Sequence, residues 1–190
     1  MSSVTKKVLR GFSDLSIFAV QTNDSTSYVL GERVAVPGAQ ELSVQKDTNE
    51  WKIYADDGIY ESGTDWKGAK LALTIAGLPS ELRNYFEGGF HSVAKGTYTY
   101  FKDSEAPEIA LSFGSFANSE MAEFTKIFSL RCTKVSFEHK TKGENTSVIP
   151  VKIEGVIMQR KIDGAVFAKK EGPLGDNEWI YSNDGLVITP

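Results

Sequence analysis

The sequence is poor in the residues that build disulfides and metal sites. Among its 190 residues it has one cysteine, Cys132, so no disulfide can form within the chain. The two histidines, His91 and His139, lie in separate segments, whereas a metal site needs at least three converging ligands. Cys132 lies in a strand-like run, and we predict a small buried hydrophobe rather than a reactive thiol. We therefore expect no metal and no cofactor.

Long apolar runs are also missing. No stretch reaches the roughly 18 apolar residues that a membrane-spanning helix needs, and the N-terminus lacks the apolar segment of a signal peptide. We therefore expect synthesis in the cytoplasm and no membrane partner. The net charge of −4 and the pI of about 5.3 argue against a protein that grips nucleic acid by its phosphates. They allow a protein that lies near DNA without holding it.

Recognisable catalytic motifs are missing too. The sequence contains no Gly-x-Ser-x-Gly nucleophile elbow, and no set of nucleophile, base and oxyanion donors can be named, so we expect no enzyme. Four carboxylates do fall within ten residues, at Asp56, Asp57, Glu61 and Asp65. Calcium is one interpretation, but their spacing does not match an EF-hand loop. A solvated hairpin tip and a loop at an interface between subunits are the other two.

What the chain does have is many strand patterns and one clear helix. Period-two alternation is clearest at 70–75 and 109–113, and a change of parity between Cys132 and Val135 predicts a β-bulge. A short helix starts near Pro79 and ends at the glycines 88–89. The remaining predicted strands cover residues 15–20, 28–36, 39–54, 96–101, 124–138, 148–159 and 179–188. A second helical turn is predicted at Ser119–Glu123.

These elements predict a mainly β fold. We expect one domain over residues 1–190, an antiparallel β-sandwich or barrel with one short helix on its flank. The helix would pack through one stripe formed by Leu82, Tyr85 and Phe86. Flexible arms are expected at about 1–12 and 170–190.

Aromatic and acidic residues cluster around the turn that follows residue 54. One interpretation is cross-strand aromatic pairing, which fixes hairpin register. The other is a contact surface, since Trp and Tyr are enriched in the cores of protein interfaces. Both interpretations stay open. The candidate residues for contact between subunits are Trp51, Tyr54, Asp56, Asp57, Tyr60, Glu61 and Trp66.

Two blocks of sequence carry a family resemblance. The first is Tyr-Ala-Asp-Asp-Gly-Ile-Tyr-Glu at 54–61, followed by Leu-Ala-Leu-Thr-Ile-Ala-Gly-Leu-Pro at 71–79 and the short helix. The second is Ser-Phe-Glu-His-Lys-Thr-Lys-Gly-Glu-Asn at 136–145, followed by Gly-Val-Ile-Met-Gln-Arg at 155–160. In this order the chain resembles the major tail protein, the tail-tube subunit of long-tailed, non-contractile bacteriophages of Gram-positive bacteria. The resemblance covers roughly residues 40–165 and is weak at 1–40 and 170–190. An additional Ig-like domain is not expected.

The resemblance implies a structural virion protein, assembled in the host cytoplasm. Copies of it would form rings, usually hexameric, which stack into a tube with the helix outside. The tip between the strands around 42–54 and 66–76 would reach the neighbouring ring. Implied partners are tape-measure, tail-tip or baseplate, and terminator proteins.

Double-stranded DNA would pass through such a tube without specific binding. A lysine about 10 Å from a phosphate in water gains only about 0.4 kcal/mol, but many stacked rings multiply that attraction. We therefore expect a bore that is neutral to acidic.

Two other functions remain open. A ring protein of a related secretion or bacteriocin tube would share this architecture and differ in cargo. A monomeric β-sandwich module could instead use its exposed aromatic side chains to bind carbohydrate or cell wall.

Overall fold

A computed structural model describes residues 10–116, 121–138, 150–173 and 177–182. Within these ranges the chain forms ten strands and two helices. The strands are β1 (Arg10–Asn23), β2 (Tyr28–Ala35), β3 (Ala39–Ala55), β4 (Gly58–Ile75), β5 (Phe90–Ser92), β6 (Thr97–Thr99), β7 (Glu108–Phe116), β8 (Met121–Ser136), β9 (Val151–Met158) and β10 (Phe167–Pro173). The helices are α1 (Ser80–Glu87) and α2 (Glu178–Tyr181).

One curled antiparallel sheet dominates the fold. Its strand order is β2-β1-β7-β8-β9-β4-β3, with β10 also paired to β8, while β5 and β6 form a separate small hairpin. Strands β1 and β3 are far apart in this order, yet they come into contact. The amide of Val36 donates a hydrogen bond of 2.8 Å to the carbonyl of Leu15, which continues the β1–β2 pairing into the segment that leads to β3. The sheet therefore curls into an incompletely closed barrel, and the predicted mainly antiparallel β fold with a short flanking helix is confirmed.

The main core lies on the concave side of this sheet. In β4, Ala69, Leu71, Leu73 and Ile75 point inward while the residues between them face out. Strand β9 has the same alternation, so Ile153 lies opposite Leu73 across the pair. This is the period-two pattern expected of strands with one face buried and one in water.

Helix α1 closes one side of that core. Leu82 and Phe86 are buried, and Tyr85 is half-buried against the same cluster, so the predicted apolar stripe is confirmed. The helix stops at Gly88, which has a left-handed φ of 77° and donates its amide to the carbonyl of Asn84 at 3.1 Å. A Cβ at Gly88 would lie only 1.7 Å from the carbonyl oxygen of Glu105. Only glycine fits there, both in conformation and in space.

The predicted β-bulge is also confirmed. The register between β8 and β9 shifts between Cys132 and Lys134, where the apolar parity of β8 changes. Cys132 is 6% exposed, and burial raises the pKa of its thiol to about 12. It is therefore the buried hydrophobe that the sequence predicts, held as a thiol rather than a thiolate.

A second apolar layer covers the outer face of β1, β2, β7 and β8. Phe18 and Phe128 pack there beneath the loop that follows β9. Arg160 of that loop is fully buried, with its Nε donating to Asp163 Oδ1 at 2.9 Å and its guanidinium carbon 4.1 Å from the centroid of the Phe128 ring. The Tyr28 hydroxyl donates to the carbonyl of Phe128, and burial raises its pKa. Parts of β7 and β8 are consequently buried on both faces.

The structure corrects several boundaries. Residues 10–12 of the expected N-terminal arm belong to β1, and residues 170–173 of the expected C-terminal arm pair with β8 as part of β10. Residues 179–181 form helix α2 rather than a strand, because Ile180 inserts against Phe124 and its carbonyl accepts a 2.7 Å hydrogen bond from Ser112 Oγ. The helical turn expected at Ser119–Glu123 is wrong at 121–123, which lie in β8. Residues 1–9, 139–149 and 183–190 lie outside the described residues, and the single-domain assignment stays a prediction.

The alternation in β9 gives a matched pair of stability tests. Ile153 is fully buried, whereas Val156 in the same strand is 39% exposed on the other face. Replacing Ile153 with Ala should lower the free energy of unfolding by about 3 kcal/mol, because it leaves a cavity in the core. Replacing Val156 with Ala should lower it by less than about 1 kcal/mol. Denaturant titration measures both changes, and equal effects would contradict the assigned core face.

Candidate assembly interface

The hairpin of β3 and β4 is longer than the sheet that supports it. Strand β4 pairs with β9 only over Ala69–Ile75, but its pairing with β3 continues to Gly58. We call the unsupported part, residues 47–68, the projecting hairpin. At about 3.3 Å per residue it extends roughly 35 Å beyond the sheet. Along residues 47–68, β3 and β4 pair only with each other among the described strands.

The projecting hairpin ends in a tight turn and not in an acidic loop. Asp56 and Asp57 have φ values of 49° and 64°, and β4 begins directly after them at Gly58. Positive φ at both central residues is typical of the type I′ turn that joins twisted strands, and Asp tolerates this conformation better than most residues. The tip expected between the strands around 42–54 and 66–76 is therefore wrong beyond Gly58, because Tyr60, Glu61 and Gly63 lie in β4.

Trp51 covers a glycine on the opposite strand. Trp51 and Gly63 are register partners, and a Cβ at Gly63 would lie 2.5 Å from the indole ring. Trp51 is half-buried by this contact, although its neighbours along β3 are exposed. At this position the structure has an aromatic–glycine pair instead of the cross-strand aromatic pair that was one interpretation of the sequence. Trp66 lies opposite Thr48 instead.

The predicted contact residues all lie in the projecting hairpin, but they are distributed over its two faces and its turn. Strand alternation and register place Tyr54, Ile59 and Trp66 on one face. Trp51 and Ile53 lie on the other face. Glu61, opposite Ile53, shares that second face. Tyr60 lies at a register shift, and Asp56 and Asp57 form the turn. The two tryptophans therefore do not form a single flat platform of the kind that binds a sugar ring.

Large apolar side chains are exposed along the projecting hairpin. Tyr54 is 69% exposed, Ile59 57% and Tyr60 76%, and Ile53 and Trp66 are also exposed. A two-stranded hairpin alone in water is marginally stable, and a contiguous exposed apolar patch usually marks a contact site. The arrangement can bind another protein surface by apolar contact, and its free edges can accept a further strand.

A groove lies at the other end of the sheet. It has a volume of about 580 Å³ and lies between α1, the β5–β6 hairpin with the loop after it, and the end of β8. Arg83 of α1 forms a 3.5 Å ion pair with Glu87, and its guanidinium lies 5.2 Å from the Phe137 ring centroid and 5.9 Å from that of Tyr98. Burial, assisted by Glu87, raises the pKa of Tyr98 to about 12.

Sequence reasoning did not find this groove. Its walls come from separate elements, and only the fold brings them together. The available signal was the group of exposed aromatic side chains that begins directly after α1. Exposed apolar residues follow α1 at Phe90, Val93, Tyr100 and Phe101, and Tyr100 lines the groove together with Phe137.

No chemical site emerges from the titratable residues. Within the described residues, no group of three or more His, Cys, Asp and Glu side chains could hold a metal ion. The carboxylates considered for calcium are spread along the hairpin, with Asp65 opposite Asn49 and Glu61 opposite Ile53. His91 contacts Ser80, with 3.4 Å between Nε2 and Oγ, and His139 lies outside the described residues. None of the helices described is both long and apolar enough for a membrane crossing.

Comparison with known proteins finds likeness only among solved structures. No family model matches the chain, and no curated protein matches it in sequence. One similar structure is the sheath–tube complex of PVC, an extracellular contractile injection system, in its extended state, at 10% identity and a TM-score of 0.43 over 83% of this chain and 88% of that one. Another is the tube-terminating cap of the anti-feeding prophage, at 10% identity and a TM-score of 0.44 over 90% and 97%.

The Trp51–Gly63 contact can be tested within the projecting hairpin. In Gly63→Ala the new methyl group must displace the indole, so local opening of residues 47–68 should become easier by about 1 kcal/mol. Gly58→Ala is the matched control, because nothing lies within 4 Å of its Cβ position. Amide hydrogen exchange read by peptide measures both variants. Unchanged exchange in Gly63→Ala would contradict the assigned contact.

Proposed function

We propose that this chain is a structural virion protein that self-assembles into stacked, hexameric rings and so forms a phage tail tube through which DNA passes. The observation that carries the proposal is the projecting hairpin. It is an ordered element with exposed Tyr54, Ile59 and Tyr60 and with no partner strand beyond its own hairpin among the described residues. Such an element is best explained by a surface of another subunit that covers it.

The open edges of the sheet support the same function. Strand β2 pairs only with β1, and β3 only with β4, in the part of the chain that the structure describes. Open edges are templates for pairing with further copies of the same chain. Contacts between unlike surfaces close into a ring if the rotation per subunit divides a full turn, and otherwise continue as a filament. Rings whose two faces differ and are complementary can stack without limit.

The choice of a phage tail rests on the sequence resemblance at 54–79 and 136–160. That resemblance supports tape-measure, tail-tip and terminator proteins as partners, and a final location in the virion tail. A ring protein of a related secretion or bacteriocin tube would have the same geometry. The two kinds of tube differ in their cargo and partners, whereas the projecting hairpin would act as an assembly element in both.

The charge of the exposed sheet face gives a test of the expected charge of the bore. Outside the projecting hairpin, the outward face of β3, β4, β9 and β8 carries four cationic and two acidic side chains. They are Lys70, Arg131, Lys134 and Lys152, and Glu41 and Glu154. A bore that lets DNA slide should not be net positive, since phosphates lie every ~1.7 Å along the duplex.

We therefore expect this cationic face to lie outside the bore, or to be neutralised there by other residues of the ring. A reconstruction of the assembled tube measures this directly. A bore lined by Lys70 and Lys152 without acidic neighbours would contradict the expectation of a neutral to acidic channel.

Shortening the hairpin tests the function itself. Thr48 and Trp66 are register partners, so residues 49–65 can be replaced by Asn-Gly, which closes the strands with a two-residue turn. Because the core lies elsewhere, the shortened chain should fold. It should no longer form rings or tubes, as read by light scattering on a sizing column and by negative-stain microscopy across concentration.

The full-length chain is the positive control, alone and with tail-tip components added as a template. Val156→Ser is the matched surface control, since Val156 is a 39% exposed apolar residue on β9, which is paired on both sides. Normal tubes from the shortened chain would rule out the hairpin as an assembly element. A full-length chain that stays monomeric even with the template would favour a monomeric binding module.

A further inference from the structure

We propose that the end of the projecting hairpin, residues 54–61, seats in the groove between α1, the β5–β6 hairpin and β8 of another copy of the chain. This inference rests on the proposed self-assembly and names the two surfaces that meet. In this arrangement, stacked subunits contact each other through the hairpin end of one copy, which lies in the groove of the next.

The two surfaces lie at opposite ends of the molecule. Strand β4 runs from Gly58, next to the turn, to Ile75, and α1 starts a few residues later. The pairing Val135–Ile153–Leu73 places the groove end of β8 level with the α1 end of β4. At about 3.3 Å per residue, Leu73 and Gly58 are separated by roughly 50 Å along the strand. A hairpin that continues this strand points away from its own groove, so the occupant must be a second copy.

This geometry matches what a stack requires. A contact between two different surfaces at opposite ends of a subunit is heterologous, and each new copy offers a free hairpin or a free groove to the next. The contact repeats along the strand direction. A self-complementary patch would instead stop at a dimer.

The two surfaces also match in chemistry. The hairpin end carries Asp56, Asp57 and Glu61 and no cation, together with exposed Tyr54 and Tyr60. The groove has apolar walls that include Phe86, Val135 and Phe137, and its Arg83 and Lys134 pair with Glu87 and Glu154 at 3.5 and 4.0 Å. Aromatic and aliphatic side chains of the hairpin end would fill the groove, and the carboxylates of the hairpin end would lie beside Arg83.

The groove is the right size for a hairpin end. At about 580 Å³ it can take up a few large side chains, as a small-molecule site does. It is too small to bury the whole face of the projecting hairpin. This limits the occupant to the outermost residues around the turn, where Tyr54, Ile59 and Tyr60 are the most exposed apolar side chains of the hairpin.

Two complementary variants test the pairing. The hairpin variant carries Tyr54→Ser, Ile59→Ser and Tyr60→Ser, and the groove variant carries Tyr100→Ser and Phe137→Ser. All five residues are at least 50% exposed, so both variants should fold, as circular dichroism and thermal melting would show. The control variant carries Val156→Ser, a residue that is also exposed but lies away from both surfaces.

Sedimentation velocity should show that each variant alone associates at least about tenfold more weakly than wild type. A few residues at the centre of an interface contribute most of its binding free energy. The control variant should associate normally. An equimolar mixture should regain pairwise association but no longer stacks, since only the groove of the hairpin variant and the hairpin of the groove variant remain intact. A groove variant that assembles like wild type, or a mixture that regains nothing, would overturn the pairing. If wild type also fails to associate, the proposed self-assembly itself fails.

Crosslinking reads the same contact without requiring stable tubes. Cys132→Ser removes the one thiol of the chain, after which Ser62→Cys marks the hairpin and Ser104→Cys marks the groove. A short bis-maleimide should join these two chains when they are mixed at high concentration. Ser43→Cys, on the outward sheet face, is the matched control. The pairing would be overturned if the Ser62→Cys chain crosslinked equally well to the Ser43→Cys control chain, or if it did not crosslink to the Ser104→Cys chain.

Discussion

The continuous pairing of β3 with β4 is the constraint on which the rest of the structure depends. One half of β4, Ala69–Ile75, is fixed between β3 and β9 and contributes its apolar side chains to the core. Among the described strands, the other half has only β3 beside it. Because the same two strands run without a break through both halves, the core holds the base of the projecting hairpin. A two-stranded ribbon that would be marginal by itself is thereby extended from a stable sheet.

Burial on both faces of β7 and β8 anchors the remaining elements. The buried run Ile109–Gly114 would be costly in a sheet open to water on one side, so the loop after β9 and helix α2 must cover it. Two buried cations in these layers have oxygen partners. Arg160 lies against Asp163, and Lys126 donates its Nζ to the carbonyl of Ser182 at 2.7 Å. Buried charges with such partners stabilise one particular placement of the covering segments, since a different placement would leave the charge without them.

Sequence reasoning succeeded where a local pattern decides the structure. Helix α1 is determined by Pro79, the Leu82–Phe86 stripe and Gly88, and the bulge after Cys132 by a change of parity. It failed where a distant partner decides. Gly63 suggests a turn in the sequence, yet its role is to make room for the ring of Trp51 on the paired strand.

Residues 179–181 have a strand-like composition, but the place available to Ile180 between Phe116 and Phe124 selects a helix. The candidate interface follows the same division. Its hairpin residues are visible as a cluster in the sequence. The groove is not, because Arg83, Tyr98 and Val135 meet only after the sheet has curled.

The direction of β4 links these local features to assembly. The strand carries exposed aromatic residues at one end and leads into the groove-forming helix at the other, so the subunit is polar along its strand axis. A polar subunit with unlike ends adds copies in one orientation, and its last copy always leaves a free end. Growth of such a stack does not terminate by itself. If copies stack as proposed, a tube of defined length needs other proteins to start it and to cap it, and these would recognise different surfaces, one the groove and the other the hairpin end.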